Sequence, residues 1–347
     1  MKISICIPQY NRIQYLIKSL DELQNQIYSD FEVVISDDCS QDDTEVQILN
    51  YAKCSRYPIT YFRFEENQGY DRNLRKSLEL AQGEYCFILG NDDTLAHNNV
   101  LMDLETFLLT NNFPDIGYSN YQEYSNPEIV TRRASETKVI GTGPEIGLKN
   151  YSCFSFVAGL IFKKSLFDKF NSDIYDKSIY AQIALGLHMI CNGAILFSIK
   201  DILVKKDITV QNDEKSNSYR DFINRSFSKI KPSDGGLKSV LSVLTLVLEK
   251  NNLLTTKRKD YIFTKILFNT YPYWVLDYKL NKATPAAIGL YLGLLPHGIR
   301  QFSSLTFWQK IKFSLGFQFI SIASFLFPSF IFFKFKERLY SWSKRVF

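Results

Sequence analysis

The chain has few of the residues that commonly mark a functional site. Only three histidines occur in 347 residues, His97, His188 and His297. The six cysteines (Cys6, Cys39, Cys54, Cys86, Cys153, Cys191) form no CxxC pair and no metal-type spacing. That argues against a zinc site and against a disulfide scaffold. Several of the thiols lie in apolar, strand-like runs, as in a reducing compartment. A net charge of only +5 leaves no strongly basic footprint, so no nucleic-acid partner is expected. There is no GxxxxGK loop, no HExxH, no GxSxG and no kinase motif. The run GTGPEIG at 141–147 has the wrong spacing for a dinucleotide fingerprint, holds Pro144 and follows no first strand, so it reads as a loop. Without a glycine-rich cradle, a metal must neutralise any bound diphosphate. The opening MKISICIPQYNR turns polar too soon for a signal peptide, so the body is expected to stay in the cytosol.

What is present is apolar and aromatic. Apolar residues make up 46% of the chain, with 28 Phe and 21 Tyr, enough for a sizeable core. At ~150 residues per domain the length suggests two parts. The first ninety residues alternate between strand and helix patterns. Strands are expected at 2–8, 31–36, 59–64 and 84–89. Helices are expected at 12–26, 43–54 and 72–81, with Gly83 at the C-cap of the last. Four repeats imply right-handed crossovers and a mostly parallel sheet, with ligands bound outside the carboxyl ends of the strands. Those ends hold the polar residues: 9–12, 37–40, 65–70 and 91–94. Beyond Asn112 the pattern loosens. Residues 118–139 read as loop with short strands, 178–191 as a helix and 194–204 as a strand pair.

Two acidic clusters carry chemistry. Asn91-Asp92-Asp93 closes the fourth strand, and adjacent carboxylates repel unless a cation is near. Mg²⁺ or Mn²⁺ takes oxygen ligands and often shares them with a diphosphate. The plain alternative is a turn capping the next helix through Asp93 or Thr94. Asp37-Asp38 closes the second strand, where an acid accepts hydrogen bonds from a ribose or base. A solvated turn explains an isolated pair of this kind as well.

In order and spacing, SICIPQYNR, VVISDDCSQDDT, FEENQGYDRN and AQGEYCFILGNDD resemble the nucleotide-sugar domain of family 2 glycosyltransferases with the α/β GT-A fold. The resemblance is specific over 1–95 and absent beyond about 205. Within the family, GYDRNL and GEYCFILGNDDTLA are most similar to the abequosyltransferase-like O-antigen dideoxyhexose transferases. The resemblance implies that Pro8, Tyr10 and Asn11 line the nucleoside pocket and that Asp38 contacts the base. It places Asn67, Gly69, Arg72 and Asn73 beside the nucleotide, and Asp92 and Asp93 in the metal motif, with Asp93 as the direct ligand. Asn91 stands where many members have a first acid. The Glu-Asp pair that usually supplies the general base is missing, and Asp176, with Asp173 beside it, is the nearest acid. His188 lies in an apolar helix and reads as a packed core residue.

The boundary is expected in the polar stretch 205–218, giving a catalytic domain at 1–210 and a helical region at 211–347. Helices are expected there at 219–231, 238–248, 257–268, 286–295 and 306–327. From Gln301 onward the chain carries seven bases and one acid, so the rest of it nets −1. Residues 313–333 hold no charge, yet Ser314, Gln318, Ser321 and Ser324 form a polar stripe. This pattern suits a helix lying at a membrane surface, followed by the basic-aromatic KFKERLYSWSKRVF. A spanning helix and an intraprotein bundle are the alternatives. A membrane-surface enzyme would take a nucleotide-diphosphate sugar, CDP-linked by the closer resemblance, and a polyprenyl-diphosphate-linked oligosaccharide. It would work at the cytoplasmic face of a bacterial inner membrane. A sugar-nucleotide-processing enzyme and a non-catalytic nucleotide-sugar-binding scaffold remain as other readings.

Overall fold

The structure, a computed structural model, describes residues 1–210 and 236–336. It divides into two compact units, Met1–Ser216 and Asn217–Phe347. The expected helix at 219–231 and the tail beyond residue 336 lie outside the described residues.

The first unit opens with β1 (Ile3–Gln9), α1 (Ile13–Leu23), β2 (Phe31–Asp37), α2 (Thr44–Ala52), β3 (Ile59–Arg63), α3 (Tyr70–Leu80) and β4 (Tyr85–Ile88). These strands pair in parallel in the order β3-β2-β1-β4. The strands form because Ile3, Ile5, Ile7, Val33 and Ile35 are wholly buried between flanking layers. On α1, Ile13, Leu16, Leu20 and Leu23 recur at helical spacing and pack into the same core. Register places Gln9 opposite Asp37, and Asp37 opposite Arg63. The first three strands therefore stop level, and their loops leave from one edge.

The second half of the unit adds β5 (Thr94–Leu95), α4 (Val100–Thr110), β6 (Ile116–Glu123), β7 (Val130–Thr131) and β8 (Lys138–Gly141). It continues with α5 (Pro144–Asn150), β9 (Leu160–Lys163), α6 (Lys164–Phe170), α7 (Ala181–Cys191) and β10 (Leu196–Lys206). Antiparallel β9 joins β4 to β6, and β6 pairs in parallel with β10. Two sequence expectations need correcting, whereas the stretch 118–139 is loop with short strands as expected, one of them the internal β6. Its polar character is real but satisfied: Asn120 Nδ2 donates to the Lys200 and Ala134 carbonyls, and its Oδ1 accepts from the Arg133 and Ala134 N–H groups. The strand pair expected at 194–204 is the single strand β10, with two register shifts against β6. The GTGPEIG run holds a helix. Gly143 at φ 99° precedes Pro144, whose fixed φ suits the first helical turn.

Gly83 is also not a C-cap. It is needed for close approach, since a Cβ there would lie 2.7 Å from the Lys2 carbonyl oxygen and 2.8 Å from the Ser4 nitrogen.

The second unit is helical: α8 (Leu237–Lys250), α9 (Thr256–Phe263), a π-helical stretch (Thr264–Thr270), α10 (Tyr271–Leu280), α11 (Thr284–Gly293) and α12 (Phe307–Leu326). Aromatic pairs bind it together, among them Phe263–Phe313 at 5.2 Å and Tyr271–Phe317 at 4.7 Å between centroids. The polar stripe of α12 faces water only in part: Gln318 is exposed, Ser314 is half-buried, and Ser321 and Ser324 are buried within the unit.

Candidate donor site

The loop after β1 is set first. Asn11 and Arg12 both adopt positive φ, 52° and 62°, which costs a non-glycine residue about 1–3 kcal/mol. Three hydrogen bonds hold the turn. Gln9 Nε2 donates to the Asn11 carbonyl at 2.6 Å, Asn11 N to Ser40 Oγ at 2.8 Å, and Gln41 N to Asn11 Oδ1 at 2.8 Å. Tyr10, between β1 and this turn, is 46% exposed and free to stack on a planar ligand. Pro8 sits on β1 opposite Ser36.

The two acids after β2 separate into different jobs. Asp37 is wholly buried, accepts from Tyr61 Oη at 2.7 Å and from Ser40 N at 3.0 Å, and so fixes the turn. Asp38 reaches across to the third loop. Its two oxygens accept from Gln68 N at 2.6 Å and Gly69 N at 2.9 Å. Gly69 adopts φ 85°, the left-handed conformation that glycine tolerates, as it leads into α3. Burial pushes the Asp38 carboxyl above its ordinary range, and the two N–H groups oppose that shift. Asn67 Nδ2 donates to the Asp38 carbonyl. Asn73 is buried, donates to the Gln9 carbonyl at 2.9 Å, and leaves its Oδ1 buried without a hydrogen bond.

The fourth loop reverses the expected order of its acids. Asp93 points inward. Its carboxylate accepts from Asp207 N at 3.1 Å, and burial followed by the Asp92 charge raises its pKa well above the ordinary range. Asp92 is the more accessible carboxylate, at 16% side-chain exposure, and it pairs with Arg12 Nη1 at 2.7 Å. Arg12 in turn lies 4.4 Å over the Tyr15 ring. Asn91 Nδ2 donates to Gln9 Oε1. Among the described residues no group of three or more His, Cys, Asp or Glu side chains is placed to hold a metal. Asp92 offers one hard oxygen ligand. That fits Mg²⁺ or Mn²⁺ completed by diphosphate oxygens and water, because these ions rarely take an all-protein cage.

Beside Gln68 opens a cleft of about 540 Å³. Arg72, Arg75 and Glu79 lie on one side, and Asn171, Asp173 and Asp176 on the other. Arg72, expected beside the nucleotide, is engaged by Glu79 at 2.6 Å. Asp176, expected as the general base, is gripped by Arg75, which is nearly buried. Nε donates to Oδ1 at 2.8 Å and Nη2 to Oδ2 at 2.6 Å. Both carboxylate oxygens are thus taken up by the guanidinium. Asp173 lines the same cleft and is exposed. His188 packs on Phe170 and Tyr175.

Sequence reasoning missed Asp71. This buried acid, borne on α3, accepts from Ile179 N at 2.7 Å and Ala181 N at 3.0 Å, and so caps the N-terminus of α7. It holds the 177–181 segment, in which Lys177 and Ile179 both have positive φ.

The order of these loops and their acids is that of one enzyme family. The family described as glycosyl transferase family 2 matches residues 4–196, and the chain belongs to it. Abequosyltransferase RfbV of Salmonella typhimurium is 34% identical over 190 residues, 50% of this chain and 56% of that protein. The match thus spans just over half of that relative's length. The GalNAc(5)-diNAcBac-PP-undecaprenol beta-1,3-glucosyltransferase of Campylobacter jejuni is 27% identical over 274 residues, 75% of this chain and 78% of that protein. Two solved structures share the fold. TarS 1-349 of S. aureus has a TM-score of 0.54 at 16% identity, over 93% of this chain and 91% of that one. The mannosyltransferase PcManGT of Pyrobaculum calidifontis, in complex with GDP-Man and Mn²⁺, has a TM-score of 0.54 at 13% identity, over 93% and 87%. The α/β GT-A architecture expected from the sequence is the one observed.

Proposed function

We propose that the chain moves one sugar from a nucleotide-diphosphate donor to a lipid-linked oligosaccharide, in O-antigen or surface-polysaccharide synthesis at the cytoplasmic face of a bacterial membrane. The observation that carries this is the meeting of four loops at one sheet edge in a family 2 chain. With the first turn of α3 they bring Tyr10, Asp38, Asn73 and Asp92 to the carboxyl ends of β1 to β4. The names of the two relatives support the acceptor and the pathway. One is an abequosyltransferase, and the other carries undecaprenol diphosphate in its substrate name. The solved TarS and PcManGT complexes hold UDP-GlcNAc and GDP-Man. The CDP preference has no support among them, and the donor is proposed only as a nucleotide-diphosphate sugar.

In this scheme Tyr10 stacks on the base, the unpartnered Asn73 Oδ1 accepts a hydrogen bond from the nucleotide, and Asp38 keeps the 67–69 loop in place. Asp92 would hold a divalent ion, which would offset the charge of the leaving diphosphate. Arg12, released from Asp92, and Arg72, released from Glu79, are the cations at hand for the phosphates. An acid of the cleft deprotonates the acceptor hydroxyl, and the displacement inverts the anomeric centre. Asp173 is assigned this role over Asp176 because Arg75 grips the latter.

A thermal-shift panel of CDP, UDP, GDP and dTDP, each with and without Mn²⁺, tests the donor site. One nucleotide at a hundredfold excess over its Kd should stabilise the fold by ~2.7 kcal/mol. Asp92→Asn should abolish the Mn²⁺-dependent part. No shift with any nucleotide in folded protein overturns the reading. Asp173→Asn should leave donor binding intact and slow transfer roughly 10²–10⁴-fold. Unchanged turnover would remove Asp173 from the mechanism.

A further inference from the structure

The helix α12 is apolar on its outer as well as its inner face. Its inner face holds the buried Phe313, Phe317, Ser321 and Ser324. Ser321 Oγ accepts from Tyr271 Oη at 2.9 Å and Ser324 Oγ donates to the Ile320 carbonyl, while the exposed Gln318 accepts from Tyr291 Oη through its Oε1. Other large apolar residues turn outward. Trp308, Leu315, Phe319, Ile322 and Leu326 are each between 60% and 78% exposed. Their spacing of seven, four, three and four residues places them on one stripe. A surface helix in water normally turns a polar face outward. On this stripe Lys312 is the one charged residue, and clustered exposed apolar side chains mark interaction surfaces.

The end of the helix adds a second, independent observation. After Leu326 the chain bends by 96° into a further helical segment, Ser329–Lys336, with Phe330 and Phe333 each 68% exposed. Pro328 lies in the break and has no N–H to donate. The carbonyls left open there do not rely on water. Lys279 Nζ donates to those of Ser324 at 3.0 Å, Phe325 at 2.6 Å and Phe327 at 2.7 Å. A bend whose backbone oxygens are satisfied from within, under an apolar outer face, is what a hydrocarbon environment requires.

Charge selects the occupant. Between Phe307 and Lys336 there is no acidic residue and there are four lysines. Lys312 and Lys336 pair with Asp260 at 2.8 Å and Asp277 at 2.6 Å, so the net positive charge of the stretch rests on Lys310 and Lys334. A second copy seated by two-fold symmetry would bring this basic stretch against itself. Anionic lipid headgroups complement it. No single helix among the described residues is long and apolar enough to cross a membrane.

We propose that the outer face of α12 and the Phe330–Phe333 turn form a lipid-docking surface seated in the outer part of an anionic leaflet. The helix lies along the membrane, and Lys279 seals the bend from the protein side. The proposal takes its rationale from a lipid-linked acceptor, but its test does not depend on transfer.

The test is flotation of the full chain with vesicles of phosphatidylglycerol and phosphatidylcholine, and with phosphatidylcholine alone. The chain should float with the anionic vesicles and less well with the neutral ones. The triple variant Leu315→Gln, Phe319→Gln, Leu326→Gln should lose at least about tenfold in partitioning, with circular dichroism unchanged. Should the triple variant misfold, the unaltered chain still decides. Vesicles should shift its tryptophan emission to the blue, and Trp308→Phe should remove most of that shift. A chain that stays at the bottom of the gradient overturns the proposal. So does a triple variant that floats as well as the original, or a lipid-free dimer that the same substitutions dissociate. A nucleotide-dependent thermal shift without flotation defeats the docking surface alone. Flotation without any nucleotide shift defeats the donor-site reading alone.

Discussion

Single side chains in this protein act by bridging segments far apart in sequence. Glu32 accepts from Lys2 Nζ, Ser4 Oγ and Gln82 N, each at 2.7 Å, and so ties the starts of β1 and β2 to the turn before β4. Burial pushes its pKa up, but these three donors outweigh burial and hold it below the ordinary carboxylate range. The stability contributed by ionised Glu32 is therefore complete above that range and is lost as pH falls through the depressed value. Glu32→Gln should cost about 1.5–3 kcal/mol in urea unfolding at neutral pH. The gap from the original chain should close as the pH drops below about 4. A pH-independent gap would show that shape rather than charge is lost. Asp71→Ala should cost about 1–3 kcal/mol by stripping the cap from α7. Hydrogen exchange should rise first at Ile179 and Ala181, whose N–H groups it binds. Asp38 and Asp92 were legible as acids at strand ends. Asp71 and Arg75 were not, because their partners lie more than a hundred residues away and no local pattern encodes them.

Among elements, legibility followed periodicity. The first four strands and three helices stand close to where apolar spacing put them, since each is buried on the face its pattern predicts. The pattern blurred the bounds and the internal position of β6, because Ser119 and Asn120 are buried polar residues whose partners come from elsewhere in the unit. It also hid α10, whose aromatic residues follow no clear stripe. The expected C-cap at Gly83 failed for a different reason. A glycine after a helix pattern fits two jobs, and here close packing against β1 is the one observed. Gly83→Ala should destabilise the unit by about 1–3 kcal/mol, measured by chemical unfolding, because the obstructing atoms include backbone and cannot rotate away. Wild-type stability in that variant would mean that β1 shifts freely at its first residues.

At the scale of the whole chain, the residues assigned to the donor and those assigned to lipid fall in different units. Substitutions in the two sets should combine additively, as sites that share no partners do. Asp92→Asn together with Phe319→Gln should show the nucleotide shift of the first and the flotation of the second, and a departure from both would reveal coupling. The turn at Asn11 and Arg12 has a further consequence. Two adjacent residues held at positive φ leave this loop little freedom to lose when a ligand arrives. Its conformational entropy is surrendered during folding rather than during recognition. Donor capture should accordingly be fast and enthalpy-led, with little reordering of the loop between the empty and the filled enzyme.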